Sequence, residues 1–212
     1  MLDLITPIVK SWPSKYGLKA NELAIQVLGG AGYIREYPVE QYYRDNRLNP
    51  IHEGTEAIHG IDILGRKILL NKGAGLTLLM ETVGKTLTEA REFEELVPLI
   101  PPLTDALQTL GTVTSTLLGK MAEHTDLSLA NATVYLDLFG RILMSWLWLK
   151  QALTAAGGLA RKDIHEADAY FYEGKLHAAR YYIQWELAEI GPQADLLCRF
   201  DDIPFTMKNE WF

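Results

Sequence analysis

Apolar residues along this chain recur at intervals of three and four, and no stretch alternates at two, so the pattern predicts helices and no strand. Residues 18–28, LKANELAIQVL, read as a helix with Leu23, Val27 and Leu28 directed inward, ended by the glycines of GGAG. Pro38 suits the first turn of a short helix, PVEQYYRDNRL, that stops before Pro50. Thr55 is placed to cap a further helix running to about Leu70, with Ile58, Ile61, Leu64 and Ile68 as its apolar stripe. A cation followed by glycine, Lys72–Gly73, closes that helix, and NKGAG marks a boundary between residues 1–74 and 75–212.

Four long helical patterns follow. They cover 76–94, then 103–123 after the breaker VPLIPP, then 127–156, then 163–190. The third is apolar on nearly every side until Gly157–Gly158, which places it in the middle of a bundle. The fourth carries Ala167, Tyr170, Phe171, Ala178, Tyr182 and Trp185 at helical spacing. These aromatics, with Tyr181, read as packing residues, and Gly191–Pro192 as the stop. An all-α chain ending in an up-and-down helical bundle is the economical arrangement. The aromatic tail, FDDIPFTMKNEWF, is expected to be tacked onto a surface.

Composition narrows the function. With 48% hydrophobic and 22% charged residues the chain buries a real core and is not disordered. A net charge of −7 argues against nucleic acid as a partner. The single cysteine, Cys198, forms no internal disulfide, which fits a reducing, intracellular compartment. Asp3, Pro7 and Lys10 interrupt the opening apolar stretch, so it is not a signal peptide. The most apolar segment, 134–149, carries Asp137 and Arg141 and falls short of the roughly 20 residues a membrane span needs.

The chemistry concentrates in RDNRLNPIHEGTEAIHGID, residues 44–62. Glu53 stands between a histidine and a glycine where a loop turns into a helix. Alone, it would be a solvated carboxylate favoured by the helix dipole. His52 and His59 lack the spacing that puts two imidazoles on one helical face, so no metal site is expected. Arg44, Asp45 and Arg47 read as structural ion pairs that fix the loop.

The wider context gives Glu53 a different weight. In residues 24–69, Gln26 is followed by Gly29–Gly30, then Gly32–Tyr33, Glu36-Tyr37-Pro38-Val39-Glu40, Arg44–Asp45 and Glu53-Gly54-Thr55. This succession resembles the C-terminal segment of an acyl-CoA dehydrogenase. The part after Gly75 is similar to the extra helical domain of the larger members, which include bacterial long-chain and 3-methylmercaptopropionyl-CoA enzymes. The resemblance implies FAD-dependent α,β-dehydrogenation of an acyl-CoA thioester, as in fatty acid β-oxidation, with Glu53 as the base that takes the α-proton. Gly54 would let the acyl chain pass close to the backbone. Gln26, Val27, Leu28, Gly29 and Gly30 would reach the adenosine end of an FAD bound mainly by the neighbouring subunit, which makes a homodimer part of the site. Thr55 would contact the flavin diphosphate. Electrons would pass to an electron-transferring flavoprotein in a bacterial cytoplasm.

Two positions depart from the family pattern. Ala57 stands where many members have glutamine, and His52 where many have tyrosine. Members also carry an N-terminal helical domain and a middle β domain, so this chain reads as the C-terminal third of such an enzyme. FAD then belongs to the full-length parent, and the chain alone is expected to be inactive and to bind flavin weakly or not at all. The alternative is a stand-alone helical oligomerisation or interaction module with an inherited fold and no catalysis.

Overall fold

A single helix, α1 (Leu2–Leu28), opens the chain. The structure is a computed structural model describing residues 1–212, side chains included except at Pro204. Pro7 and Pro13 lie inside α1, although an interior proline costs a helix roughly 3 kcal/mol. Leu4, Ile8 and Trp12, spaced by four, are buried on one face, and each such side chain returns about 2 kcal/mol. Tertiary burial therefore overrides the local penalty, and the helix begins well before residue 18.

The same geometry corrects the inward assignment at the other end. Leu23, Val27 and Leu28 are exposed, Val27 at 86%. The buried residues of α1 all fall between Leu4 and Ser14, so its C-terminal half extends beyond the core. Gly29, with φ +58, ends the helix, and one turn, α2 (Gly30–Tyr33), leads to α3 (Val39–Asn46) behind Pro38.

Helix α4 (Glu56–Asp62) continues through one π-turn, Ile63–Lys67, where the Ile68 N–H donates to the Ile63 carbonyl at 3.0 Å. Ile63, Leu64 and Ile68 are buried, but Ile58 and Ile61 are exposed. The reason is Gly60. A Cβ there would stand 2.6 Å from the Ala132 carbonyl oxygen, so the bare glycine face meets the neighbouring helix and turns Ile58 and Ile61 outward.

Three consecutive left-handed residues, Asn71, Lys72 and Gly73, bend the chain into α5 (Ala74–Ala90). Helix α6 (Ile100–Met121) takes Pro101 and Pro102 into its first turn, where a missing N–H costs nothing. A short α7 (Thr125–Leu129) precedes α8 (Ala132–Leu159). The pattern read as one helix from 127 is thus broken near Asn131, and Gly157–Gly158 stay inside α8 instead of ending it. A Cβ at Gly158 would overlap the Tyr172 ring, so that glycine lets the next helix close in.

Helix α8 is the centre. Sixteen of its 28 residues are buried, and it packs against α1, α4, α5, α6 and the two helices that follow. Those are α9 (Glu166–Tyr181), which runs on through a π-turn at Tyr182–Glu186, and α10 (Ile190–Arg199). The inward stripe of this stretch is Tyr172, Leu176, Ala179, Ile183, Leu187 and Ile190, so Ala167, Tyr170, Phe171, Tyr181 and Trp185 are exposed, contrary to the expected packing. Gly191–Pro192 do not stop the path. They form the first turn of α10, where proline is tolerated.

The core is one cluster, joining Leu4, Ile8, Trp12, Ile63 and Leu64 to Leu79, Leu103, Tyr135, Phe139 and Ile183. Of the tail, Phe200 packs, with the Lys120 ammonium 4.2 Å from its ring centroid. Phe205, inside the short α11 (Ile203–Thr206), and Trp211 and Phe212 beyond it are exposed instead of tacked down. Among the described residues no strand occurs, and no helix is long and apolar enough to cross a membrane.

Candidate active site

The loop from Arg47 to Thr55 is tightly turned. Asn49 N–H donates to the Asn46 carbonyl at 3.0 Å, and the Ile51 and His52 N–H groups both donate to the Leu48 carbonyl, at 3.0 and 3.2 Å. At its end stand two left-handed residues, Glu53 with φ +59 and Gly54 with φ +96. A left-handed conformation costs a residue with a Cβ about 1–2 kcal/mol, so Glu53 sits at a strained position that glycine would occupy freely. Gly54 has a second reason to be glycine. A Cβ there would come into contact with both the His59 ring and the Ile58 Cγ2 methyl at 3.4 Å, leaving no room for a longer side chain on that side.

Thr55 occupies the N-cap position of α4, as its sequence context suggests, with extended φ −79 and ψ 170. Its side chain makes no capping bond, so its hydroxyl stays free for another acceptor or donor. Among the described residues the Glu53 N–H also has no hydrogen-bond acceptor.

The Glu53 carboxylate is 73% exposed. Its Oε2 stands 3.8 Å from Lys10 Nζ and 3.8 Å from His52 Nδ1. A base for a weak carbon acid needs a dry surrounding, and these 212 residues do not supply one at Glu53. His52 turns its other nitrogen, Nε2, to Asn49 Oδ1 at 3.2 Å. The Nε2 atom of His59 is buried and has no partner.

Glu53, Gly54 and Thr55 are consecutive and share one elbow. Gln26, Val27, Leu28, Gly29 and Gly30 are all exposed at the far end of α1. Lys10 and Lys15 of α1 face Glu53 and Glu56 at 3.8 and 4.0 Å. Gln26 is 11 to 16 residues further along the same helix, a separation of about 16–24 Å. The two sets therefore lie at separate places on one rod. The expected ion pairs of the loop also differ. Arg44 pairs with Glu40 at 3.3 Å within α3, and Asp45 accepts from Gln41 at 2.7 Å. Both bonds brace the helix and leave the loop untouched.

Of the partners that touch the elbow, Asn49 belongs to the loop itself, and Lys10 escapes a local sequence reading. Lys10 is far from Glu53 in sequence, and only the helix beneath the loop brings it close.

A family model described as "Acyl-CoA dehydrogenase, C-terminal domain" matches residues 4–69, and one described as "Acetyl-CoA dehydrogenase C-terminal like" matches residues 79–208. The chain belongs to the acyl-CoA dehydrogenase family. It is 30% identical over 186 residues to the broad-specificity linear acyl-CoA dehydrogenase FadE5 of Mycobacterium tuberculosis, covering 85% of this chain and 30% of that protein. Against 3-methylmercaptopropionyl-CoA dehydrogenase of Ruegeria pomeroyi the identity is 30% over 190 residues, 89% of this chain and 32% of the relative. A shorter stretch of 42 residues is 55% identical to the mitochondrial short-chain specific acyl-CoA dehydrogenase of Rattus norvegicus, 20% of this chain and 10% of that protein. This chain thus spans about a third of the length of the larger acyl-CoA dehydrogenases it matches.

Proposed function

We propose that these residues are the C-terminal portion of an FAD-dependent acyl-CoA dehydrogenase that introduces an α,β double bond into an acyl-CoA, with Glu53 as its base. The observation that carries this is the strained left-handed elbow, Glu53 followed by Gly54. Backbone strain of this kind persists where function requires a particular placement.

In this reading Glu53 takes the proton from the carbon beside the thioester. Its exposed carboxylate becomes dry only when other parts of the enzyme and the acyl chain cover it, and that desolvation would raise its basicity toward the working pH. The unpartnered Glu53 N–H is free to donate to the thioester oxygen, where negative charge develops. Gly54 keeps the backbone bare for the acyl chain.

The residues present suit FAD. Thr55 offers an uncommitted hydroxyl and α4 an uncapped first turn, which fit a diphosphate. Gln26, Val27, Leu28, Gly29 and Gly30 offer an exposed end of α1 for an adenosine. The chemistry FAD supplies there is an acceptor for the β-hydrogen as hydride, with electrons leaving to an electron-transferring flavoprotein. The separation along α1 favours assigning Gln26–Gly30 to a flavin held mainly by a second subunit. The exposed Leu23, Val27 and Tyr33 give that homodimer an apolar face. The division at residue 74 then separates the segment that carries the chemistry, 1–74, from a supporting bundle, 75–212.

That apolar face also favours a second reading, a helical interaction module without catalysis. Replacing Glu53 by Gln in the complete enzyme separates the two, because only the catalytic reading requires turnover to collapse.

A further inference from the structure

The elbow has little hydrophobic anchorage of its own. Leu48 and Ile51 are 59% and 52% exposed. What fastens it is polar, and it comes from α1. Lys10 Nζ donates to the Asn49 carbonyl at 3.0 Å across 39 residues of sequence, and the same ammonium stands 3.8 Å from Glu53 Oε2. The Lys10 side chain is only 22% exposed, although the bond it makes lies at the surface.

A second thread runs beside the first. Asn46 Nδ2 donates to Asn21 Oδ1 at 2.8 Å, Asn49 Nδ2 donates to Asn46 Oδ1 at 2.6 Å, and His52 Nε2 meets Asn49 Oδ1 at 3.2 Å. Each amide in this relay uses its NH2 toward α1 and its oxygen toward the elbow. His52 presents its other ring nitrogen, Nδ1, to Glu53 Oε2 at 3.8 Å. The Lys10 ammonium stands at the same 3.8 Å from that oxygen.

We propose that Lys10 is a positioning residue for Glu53: its bond to the Asn49 carbonyl sets where the elbow stands above α1, and its charge holds the Glu53 carboxylate over that helix. This rests on the reading of Glu53 as the base. Position matters because a misplacement of about 1 Å in a reacting group can cost on the order of 100-fold in rate.

The test pairs two variants, Lys10→Met, which removes donor and charge at similar length, and Lys10→Arg, which keeps both. In the 212-residue chain, amide hydrogen exchange in peptides covering residues 49–55 should speed up about tenfold or more in Lys10→Met, with exchange in α8 unchanged. In the complete enzyme, kcat should fall about 10- to 100-fold with KM unchanged, and Lys10→Arg should recover most of it. Unchanged exchange at 49–55 overturns the proposal. So does wild-type kcat in Lys10→Met when Glu53→Gln is inactive. An active Glu53→Gln enzyme overturns the catalytic reading instead, and the exchange result still decides whether Lys10 holds the elbow.

Discussion

Lys15 Nζ donates to Asp137 Oδ1 at 2.8 Å, joining α1 to the central helix across 122 residues of sequence. The carboxylate is a hub. Its Oδ1 also accepts from the Tyr16 hydroxyl at 3.3 Å, and its Oδ2 accepts from Gln193 Nε2 at 2.7 Å and from Arg141 Nε at 3.2 Å. Arg141 in turn donates through one nitrogen to both the carbonyl and the carboxylate of Glu186, at 3.0 Å each. Asp137 therefore fastens the segment that carries the elbow to both the middle and the end of the bundle. Burial, and next the Asp137 charge, push the Tyr16 phenol well above its ordinary range, so it remains a neutral donor to the carboxylate.

Removing the hub leaves Arg141, a nearly buried cation, without one of its two carboxylates. Asp137→Ala should lower the unfolding free energy by about 3–5 kcal/mol, read from urea unfolding with an unchanged slope. Lys15→Met should cost only about 1 kcal/mol, because that side chain is 42% exposed and its charge is well solvated.

The same hub predicts an acid sensitivity. Burial alone would raise the Asp137 pKa. Hydrogen bonds from Lys15 and Gln193, and the charges of Lys15 and Arg141, outweigh it and hold the carboxyl below the usual range. A depressed carboxyl contributes stability that is full above its unfolded value of about 4 and is lost as pH falls through the folded value. The melting temperature should therefore drop in acid below about pH 4, and Asp137→Asn should flatten that part of the profile.

Gly60→Ala tests the crossing of α4 with α8. The added Cβ would meet the Ala132 carbonyl oxygen and carbon at 2.6 and 2.7 Å, and these backbone atoms cannot swing aside. Overpacking of this kind costs about 1–3 kcal/mol and should outweigh alanine's better helix propensity. A fall in melting temperature of about 2–12 °C is expected. The variant also separates the elbow from its support, since α4 begins three residues beyond Glu53.

The chain on its own should purify colourless and oxidise no acyl-CoA. Glu53 is 73% exposed, and the residues proposed for FAD lie on open surface at two separate places on α1 and α4. A stoichiometric yellow flavin on the 212-residue chain, measured by absorbance, would contradict this.

Helix identity was legible because three-and-four spacing persists over long stretches, and α8, apolar all round, announced its central place. Facing was less legible. Val27 and Trp185 carry apolar side chains at helical spacing and are exposed, because periodicity identifies a stripe but not whether a neighbour covers it. Gly157 and Pro192 mislead as stops, since α8 runs on to Leu159, with the neighbouring Gly158 buried against Tyr172, and Pro192 falls in a first turn. The elbow was readable from residues 44–62 alone. Its tether to Lys10 was not, because it depends on which helix passes beneath a loop.

The most direct measurement compares Glu53→Gln with the unsubstituted complete enzyme, following flavin absorbance and acyl-CoA oxidation together. The variant should keep its flavin and lose turnover by about 100- to 10,000-fold, the span that a positioned base contributes. Turnover within about twofold of the parent, with flavin bound, would show that Glu53 is not the group that takes the proton.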